Sequence, residues 1–180
     1  MTWRPKRKKP RSRLQDIRIM NELFPAADAL AAEDGEHEAG AEYLLLAAFD
    51  LDDGSARRAF ERAGADPDAF RDAVKAQHAE ALRSVGIRPM DDDLLDHHIP
   101  PAGKQSGLHR GAPSGHELFR QVVKLVRSER SQLHGAYFVL VAAQTNHGTT
   151  ARTLRHMNID ADELAAAARA EIDLVNSTSA

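Results

Sequence analysis

Residues 43–70 read YLLLAAFDLDDGSARRAFERAGADPDAF, and residues 137–164 read YFVLVAAQTNHGTTARTLRHMNIDADEL. They align without a gap at an offset of 94 residues, with 7 of 28 positions identical: Tyr43, Leu46, Ala48, Gly54, Arg58, Asp66 and Asp68 fall on Tyr137, Leu140, Ala142, Gly148, Arg152, Asp160 and Asp162. The agreement extends to physical role where the residues differ. Phe60 pairs with Leu154 and Phe70 with Leu164, while Gly64 pairs with Asn158, the two residue types that best tolerate a left-handed helix end. An internal repeat of this length organises the whole chain.

Each repeat reads as a string of short helices. Tyr43–Phe49 and Tyr137–Ala143 are apolar nearly all round, the pattern of a helix buried on every side. Asp53-Gly54-Ser55 and His147-Gly148-Thr149 are breaks, after which Ala56, Ala59, Phe60 and Ala63 recur at helical spacing up to Gly64. A further helix is expected to start at Asp66-Pro67 and at Asp160-Ala161-Asp162-Glu163, and to run to about Val85 and Leu174. Upstream, Leu14–Ala32 carries Ile19, Leu23, Ala27, Leu30 and Ala31 on one side, with Pro25 predicted to kink or restart it. Leu118, Val122, Leu125 and Val126 mark the corresponding face before the second repeat. The reading is all-α: a basic tail at 1–13, a first repeat at 14–85, a linker at 86–115, a second repeat at 116–176 and a short tail at 177–180.

Composition supports this. The 180 residues are 42% hydrophobic with 5% aromatics, a mixture poor in strand formers and large enough to fill a core. With 0 Cys there is no disulfide scaffold, no thiolate nucleophile and no Cys-based zinc site, and no apolar run approaches a bilayer span, so a cytoplasmic protein is expected. The net charge of −3 hides an asymmetry, because residues 1–13 hold seven bases and no acid, leaving −10 on the rest. Such a proline-bearing basic tail reads as disordered. It raises an alternative function, a helical nucleic-acid-binding regulator, against which the acidic body argues because phosphate contacts dominate such binding.

The repeat motifs resemble the double-repeat N-terminal domain of the Clp unfoldases, of the ClpC type. In that family a Gly-Thr-Glu-His-Leu-Leu-like motif enters a buried helix, followed by a Gly break and a Leu-x-x-x-Gly-Val-Asp-like corner. The first repeat here reads Gly40-Ala41-Glu42-Tyr43-Leu44-Leu45, Gly54 and Phe60-Glu61-Arg62-Ala63-Gly64-Ala65-Asp66; the second reads Gly135-Ala136-Tyr137-Phe138-Val139-Leu140, Gly148 and Leu154-Arg155-His156-Met157-Asn158-Ile159-Asp160. The resemblance covers about residues 14–176 and implies two pseudo-symmetric four-helix repeats without catalytic activity. It implies a platform for peptides, adaptor proteins, cyclic peptide antibiotics or Clp protease components, and a role in docking or sequestering them. With no room in 180 residues for ATPase modules, a freestanding platform is expected.

The same resemblance nominates residues. The family's motif carboxylate is implicated in recognising phosphorylated arginine, one site per repeat; Glu42 matches it, while Ala136 stands in the second repeat. The alternative for Glu42 is a favourable charge at a helix start. Ser114-Gly115-His116-Glu117-Leu118-Phe119 with Lys124 resembles the stretch beside the family's apolar ligand groove, so His116, Phe119 and Lys124 are candidates, with Phe119 expected to be partly exposed. An ordinary core Phe and surface Lys are the other reading.

No catalytic, cofactor or metal site is expected. Gly103-Lys104-Gln105-Ser106 lacks the glycine that a phosphate loop needs six residues before its Lys, where His98 stands, and has Gln where the magnesium-binding hydroxyl must stand. His97-His98, after Asp91, Asp92, Asp93 and Asp96, offers nitrogen and oxygen donors, but adjacent histidines point in different directions.

Overall fold

The computed structural model describes residues 13–84, 86 and 111–178. The basic tail, the Asp91–His98 cluster and the Gly103–Ser106 stretch lie outside the described residues. Among the described residues eight helices follow one another: α1 (Arg13–Glu33), α2 (Ala41–Phe49), α3 (Ser55–Arg62), α4 (Phe70–Ser84), α5 (Pro113–Ser128), α6 (Gly135–Ala143), α7 (Gly148–His156) and α8 (Ala161–Thr178). Among the described residues there is no strand, and no helix is long and apolar enough to cross a membrane.

The near-uniform apolar runs are the centre of the molecule. All nine residues of α2 and all nine of α6 are buried, Leu46 and Leu140 included, and the two helices pack on each other. The repeats are interleaved around them. Helix α3 crosses to pack on α6 and α8, while α7 crosses to pack on α4 and α2. Neither half keeps its apolar faces to itself, so neither buries its core without the other.

Helix ends follow the same plan in both halves. At the end of α3, Ala65 N–H bonds to Phe60 C=O (3.0 Å) and Gly64 N–H to Glu61 C=O (2.9 Å), with Gly64 at φ 72°. At the end of α7, Ile159 bonds back to Leu154 (3.0 Å) and Asn158 to Arg155 (3.0 Å), with Asn158 at φ 55°. This double-bonded ending needs a left-handed residue, which glycine and asparagine supply at least cost.

Three local expectations differ from the structure. Helix α1 does not restart at Pro25 but runs through it as one element, because Leu23, Ala27 and Ala31 on either side of it are held in the core, which offsets the missing backbone donor. Helix α4 begins at Phe70, beyond the predicted start, because Asp66 closes a turn instead: its Oδ1 accepts the Asp68 N–H at 2.9 Å. In the second half Asp160 Oδ1 accepts from both Asp162 and Glu163 N–H (2.9 Å each), and α8 starts directly. Helix α5 starts at Pro113, three residues before the expected start of the second repeat at 116.

Candidate functional site

Two open depressions flank α5. The first is a groove between the start of α1 and the second half of α5, about 510 Å³ in volume. Its floor is Ile17, Met20, Phe119, Val123, Val126 and Leu133, and Arg13 and Arg127 stand at its edge. The spacing 119, 123, 126 places one face of α5 on this groove, and Leu14 and Ile17 leave apolar surface exposed on the first turns of α1, at 80% and 48%. Behind the floor, buried Asp16 reaches across with its Oδ1 to the Leu133 N–H at 2.8 Å.

The second depression lies between the starts of α2, α5 and α7, about 540 Å³ in volume, lined by Ala41, Glu42, Ser114, Gln121, His147 and Thr150 among others. Ser114 Oγ accepts the Ala41 N–H at 3.3 Å and so caps α2 from α5. Glu42 is nearly buried; its Oε1 lies 3.7 Å from Nε2 of His78, whose Nδ1 lies 3.0 Å from Glu36. The nearby Glu42 carboxylate, with Glu36, raises the His78 pKa, working against burial. Thr150 Oγ1 is buried beside this depression and has no hydrogen-bond partner.

The repeat relates this second depression to a place that is closed. Gly40-Ala41-Glu42 facing His147-Gly148-Thr149-Thr150 corresponds, at the 94-residue offset, to His134-Gly135-Ala136 facing Asp53-Gly54-Ser55-Ala56. There the Asp53 carboxylate accepts the Gly135 N–H (3.1 Å to Oδ2), and Ser55 Oγ accepts the Ala136 N–H (2.8 Å) while donating to Asp53. Since that donation uses the only Ser55 proton, the 3.3 Å contact with His134 is made by a protonated Nδ1. His134 Nε2 is then a bare, buried acceptor without a partner, and burial pushes the ring pKa down to about 4 despite Asp53. A Cβ on Gly135 would stand 2.9 Å from Ala56 Cβ, so the fit there leaves no space.

The nominated residues fall in three places. Glu42 lines the α2–α7 depression. His116, half-buried in the first turn of α5, lines a small recess with Phe24, Asp28, Ala39, Leu44, Gly111 and Gly115. Lys124 is exposed on α5 and is not part of the groove lining. Phe119 is only 8% exposed, which agrees with the reading of an ordinary core Phe and not with partial exposure. It meets Phe24 edge-on at 4.9 Å and stacks near Phe138 at 6.4 Å, because the helical register sets it beside Leu118 and Val122. Sequence reasoning passed over Ile17, Met20 and the Asp53–Ser55–His134 cluster. The repeat alignment held a signal for the cluster, since Asp53-Gly54-Ser55 faces a different polar set from His147-Gly148-Thr149.

Comparison with known proteins fits this geometry. Residues 19–91 match the family described as the Clp repeat (R) N-terminal domain. Among solved structures, the chain is similar to the N-terminal domain of the caseinolytic protease associated chaperone ClpD from Arabidopsis thaliana, with a TM-score of 0.52 and 19% sequence identity, covering 92% of this chain and 96% of that one. The family match falls on the first repeat, and the structural likeness spans both. No curated protein matches the chain.

Proposed function

Starting from a chain that carries a Clp N-terminal repeat domain, we propose that it is a non-catalytic binding module of Clp-linked proteolysis that docks or sequesters peptides, adaptor segments or cyclic peptide antibiotics. The observation that carries this reading is the α1–α5 groove: an apolar floor in the volume range of small-ligand sites, with exposed Ile17 at its mouth. Apolar burial there supplies affinity, and the few polar groups at its edge fix orientation. Phe119 lines the floor and supports the groove by its packing on Phe24 and Phe138.

Glu42 is a separate anchor, for a basic or phosphoarginine-bearing segment, at the mouth of the α2–α7 depression. A carboxylate pairs bidentately with a guanidinium, and the free amides at the start of α7 favour an anion beside it. The corresponding place at the start of α6 is filled by Asp53 and Ser55, which supports a single such anchor per chain.

Calorimetry separates the two. A ClpC-directed cyclic peptide is expected to bind at micromolar concentration or better with one site, and Ile17→Asp is expected to abolish it without unfolding the protein, since Ile17 is half exposed. A phosphoarginine peptide is expected to lose binding in Glu42→Gln. If neither ligand binds while DNA or RNA does in a salt-sensitive manner, the binding-module reading gives way to a nucleic-acid regulator.

A further inference from the structure

On the outer surface of α5, Arg120, Lys124 and Arg127 repeat at the spacing that places side chains on one face, one residue ahead of Phe119, Val123 and Val126. The basic stripe therefore runs alongside the groove floor, and Arg127 reaches the groove itself, with Arg13 of α1 standing across from it. The acids nearby are engaged. Glu117 is held by Arg120 and Gln121, Glu129 by Tyr137 (2.9 Å) and Arg169 (2.6 Å), and Asp16 by the Leu133 N–H. Among the described residues, Arg13, Lys124 and Arg127 have no carboxylate partner, a state they share with Arg130, Arg152 and Arg155 elsewhere on the surface. By contrast Arg18, Arg57, Arg58, Arg62, Arg71 and Arg169 all pair with acids, as expected where residues 14–180 carry a charge of −10.

Three unpaired bases gathered at the rim of one apolar groove, on an otherwise acidic body, are the complement of a particular ligand. We infer that the α1–α5 groove selects a peptide segment in which two or three apolar side chains are flanked by carboxylates. This rests on the groove reading proposed above and adds the charge of the partner to it. The apolar side chains enter between Ile17 and Val123, and the flanking carboxylates meet Arg13 on one side and Lys124 and Arg127 on the other. Arginine at two of the three positions allows bidentate pairing. The same charges exclude basic segments, so the groove discriminates by repulsion as well as attraction.

The test is fluorescence anisotropy on the full chain with three labelled heptapeptides: Glu-Glu-Leu-Phe-Leu-Glu-Glu, and the same peptide with Gln or with Lys in place of Glu. The acidic peptide is expected to bind most tightly and to weaken with added salt, and the Lys peptide most weakly. Lys124→Glu combined with Arg127→Glu should weaken the acidic peptide about tenfold, the scale of two exposed charge contacts reversed in sign, and should strengthen the Lys peptide. Both residues are exposed, so the melting temperature of the double variant should match that of the unaltered chain. Equal affinities for all three peptides, each abolished by Ile17→Asp, would overturn the charge selection and leave the groove reading standing. Failure of all three to bind would overturn both. Acidic-peptide binding that survives the double variant would belong to the basic amino-terminal segment and overturn the inference. So would a dimer, seen by sedimentation, that the double variant dissolves, since the groove would then receive a second copy.

Discussion

Acid should loosen the join between the two repeats through one residue, His134. Its ring is sealed in the interleaved core, with Nδ1 committed to Ser55 and Nε2 facing no partner, so a second proton would place an unpaired N–H and a charge out of reach of water. Burial lowers its pKa from 6.5 to about 4 in the folded protein. The unfolded chain therefore binds the proton first. The stability due to a neutral His134 is complete above pH 6.5 and is lost as pH falls from there towards 4, at about 1.4 kcal/mol per pH unit. Between pH 7.5 and 4.5 the loss amounts to about 2.5 kcal/mol, a large part of the stability of a domain this size. Other groups also titrate in the acid range, so the comparison is with His134→Asn, which keeps a donor near the Nδ1 position and does not titrate. Urea unfolding of both proteins at pH 7.5, 6.5, 5.5 and 4.5 gives the difference in stability at each pH. His134→Asn should be the less stable form at pH 7.5, because it loses the ring contact with Tyr137 (4.6 Å between centroids), and the gap should close or invert by pH 4.5. A difference that stays constant to within about 0.5 kcal/mol across that range would refute the reasoning.

Three substitutions probe other parts of the frame. Gly115→Ala should destabilise by about 1–3 kcal/mol, read by urea midpoint, because the new Cβ would sit 2.7 Å from the Ala39 carbonyl oxygen where α5 crosses the chain before α2. Arg130→Gly should stabilise by about 0.5–1 kcal/mol, read as a raised melting temperature, because Arg130 ends α5 at φ 53° and its exposed side chain gains nothing there. Glu171→Gln should cost about 1–2 kcal/mol, discounted because both guanidiniums are about half exposed. Burial pushes the Glu171 carboxyl up, and Arg62 and Arg58 outweigh it and hold the pKa below the ordinary value, so the cost of Glu171→Gln should shrink in acid.

The helical plan was legible wherever a signal is local. The uniform apolar runs gave away α2 and α6, and the pairing of Gly64 with Asn158 marked two identical helix ends, because both are properties of a few adjacent residues. Groups joined across the repeats were not legible. Asp16 and Leu133 lie 117 residues apart, Arg58 and Glu171 113, and Asp53 and Gly135 82, and no periodicity in either segment points to the other. The same crossing of halves hid the groove, whose floor comes from the start of α1 and the second half of α5. Phe119 carried two readings for a related reason: a motif resemblance indicated proximity to a ligand, while the apolar set Leu118, Phe119, Val122 and Val126 indicated an ordinary core residue. At Glu42 the motif indicated the residue but not its neighbours, since His78 arrives from α4 and Thr150 from α7.

The groove and the sealed cluster are parts of one device, because the same short segment builds both. Leu133 closes the groove floor and is tied to α1 through Asp16, and the next three residues, His134, Gly135 and Ala136, are the ones gripped by Asp53 in the turn before α3 and by Ser55 at its start. A ligand pressed against Leu133 therefore requires the folded position of this segment, while a proton on His134 disfavours that position. Anything that binds the folded form and not the opened one raises its stability by mass action, and the opposing effects of ligand and proton on one segment make them linked. Saturating the groove at a hundred times the dissociation constant should add about 2.7 kcal/mol, roughly what protonation to pH 4.5 removes. The acid-unfolding midpoint should accordingly move to lower pH with a groove ligand present, and should not move in Ile17→Asp. A ligand that binds the groove at pH 7.5 and leaves the acid midpoint unchanged would show that it does not favour the folded over the opened segment, and would refute the linkage.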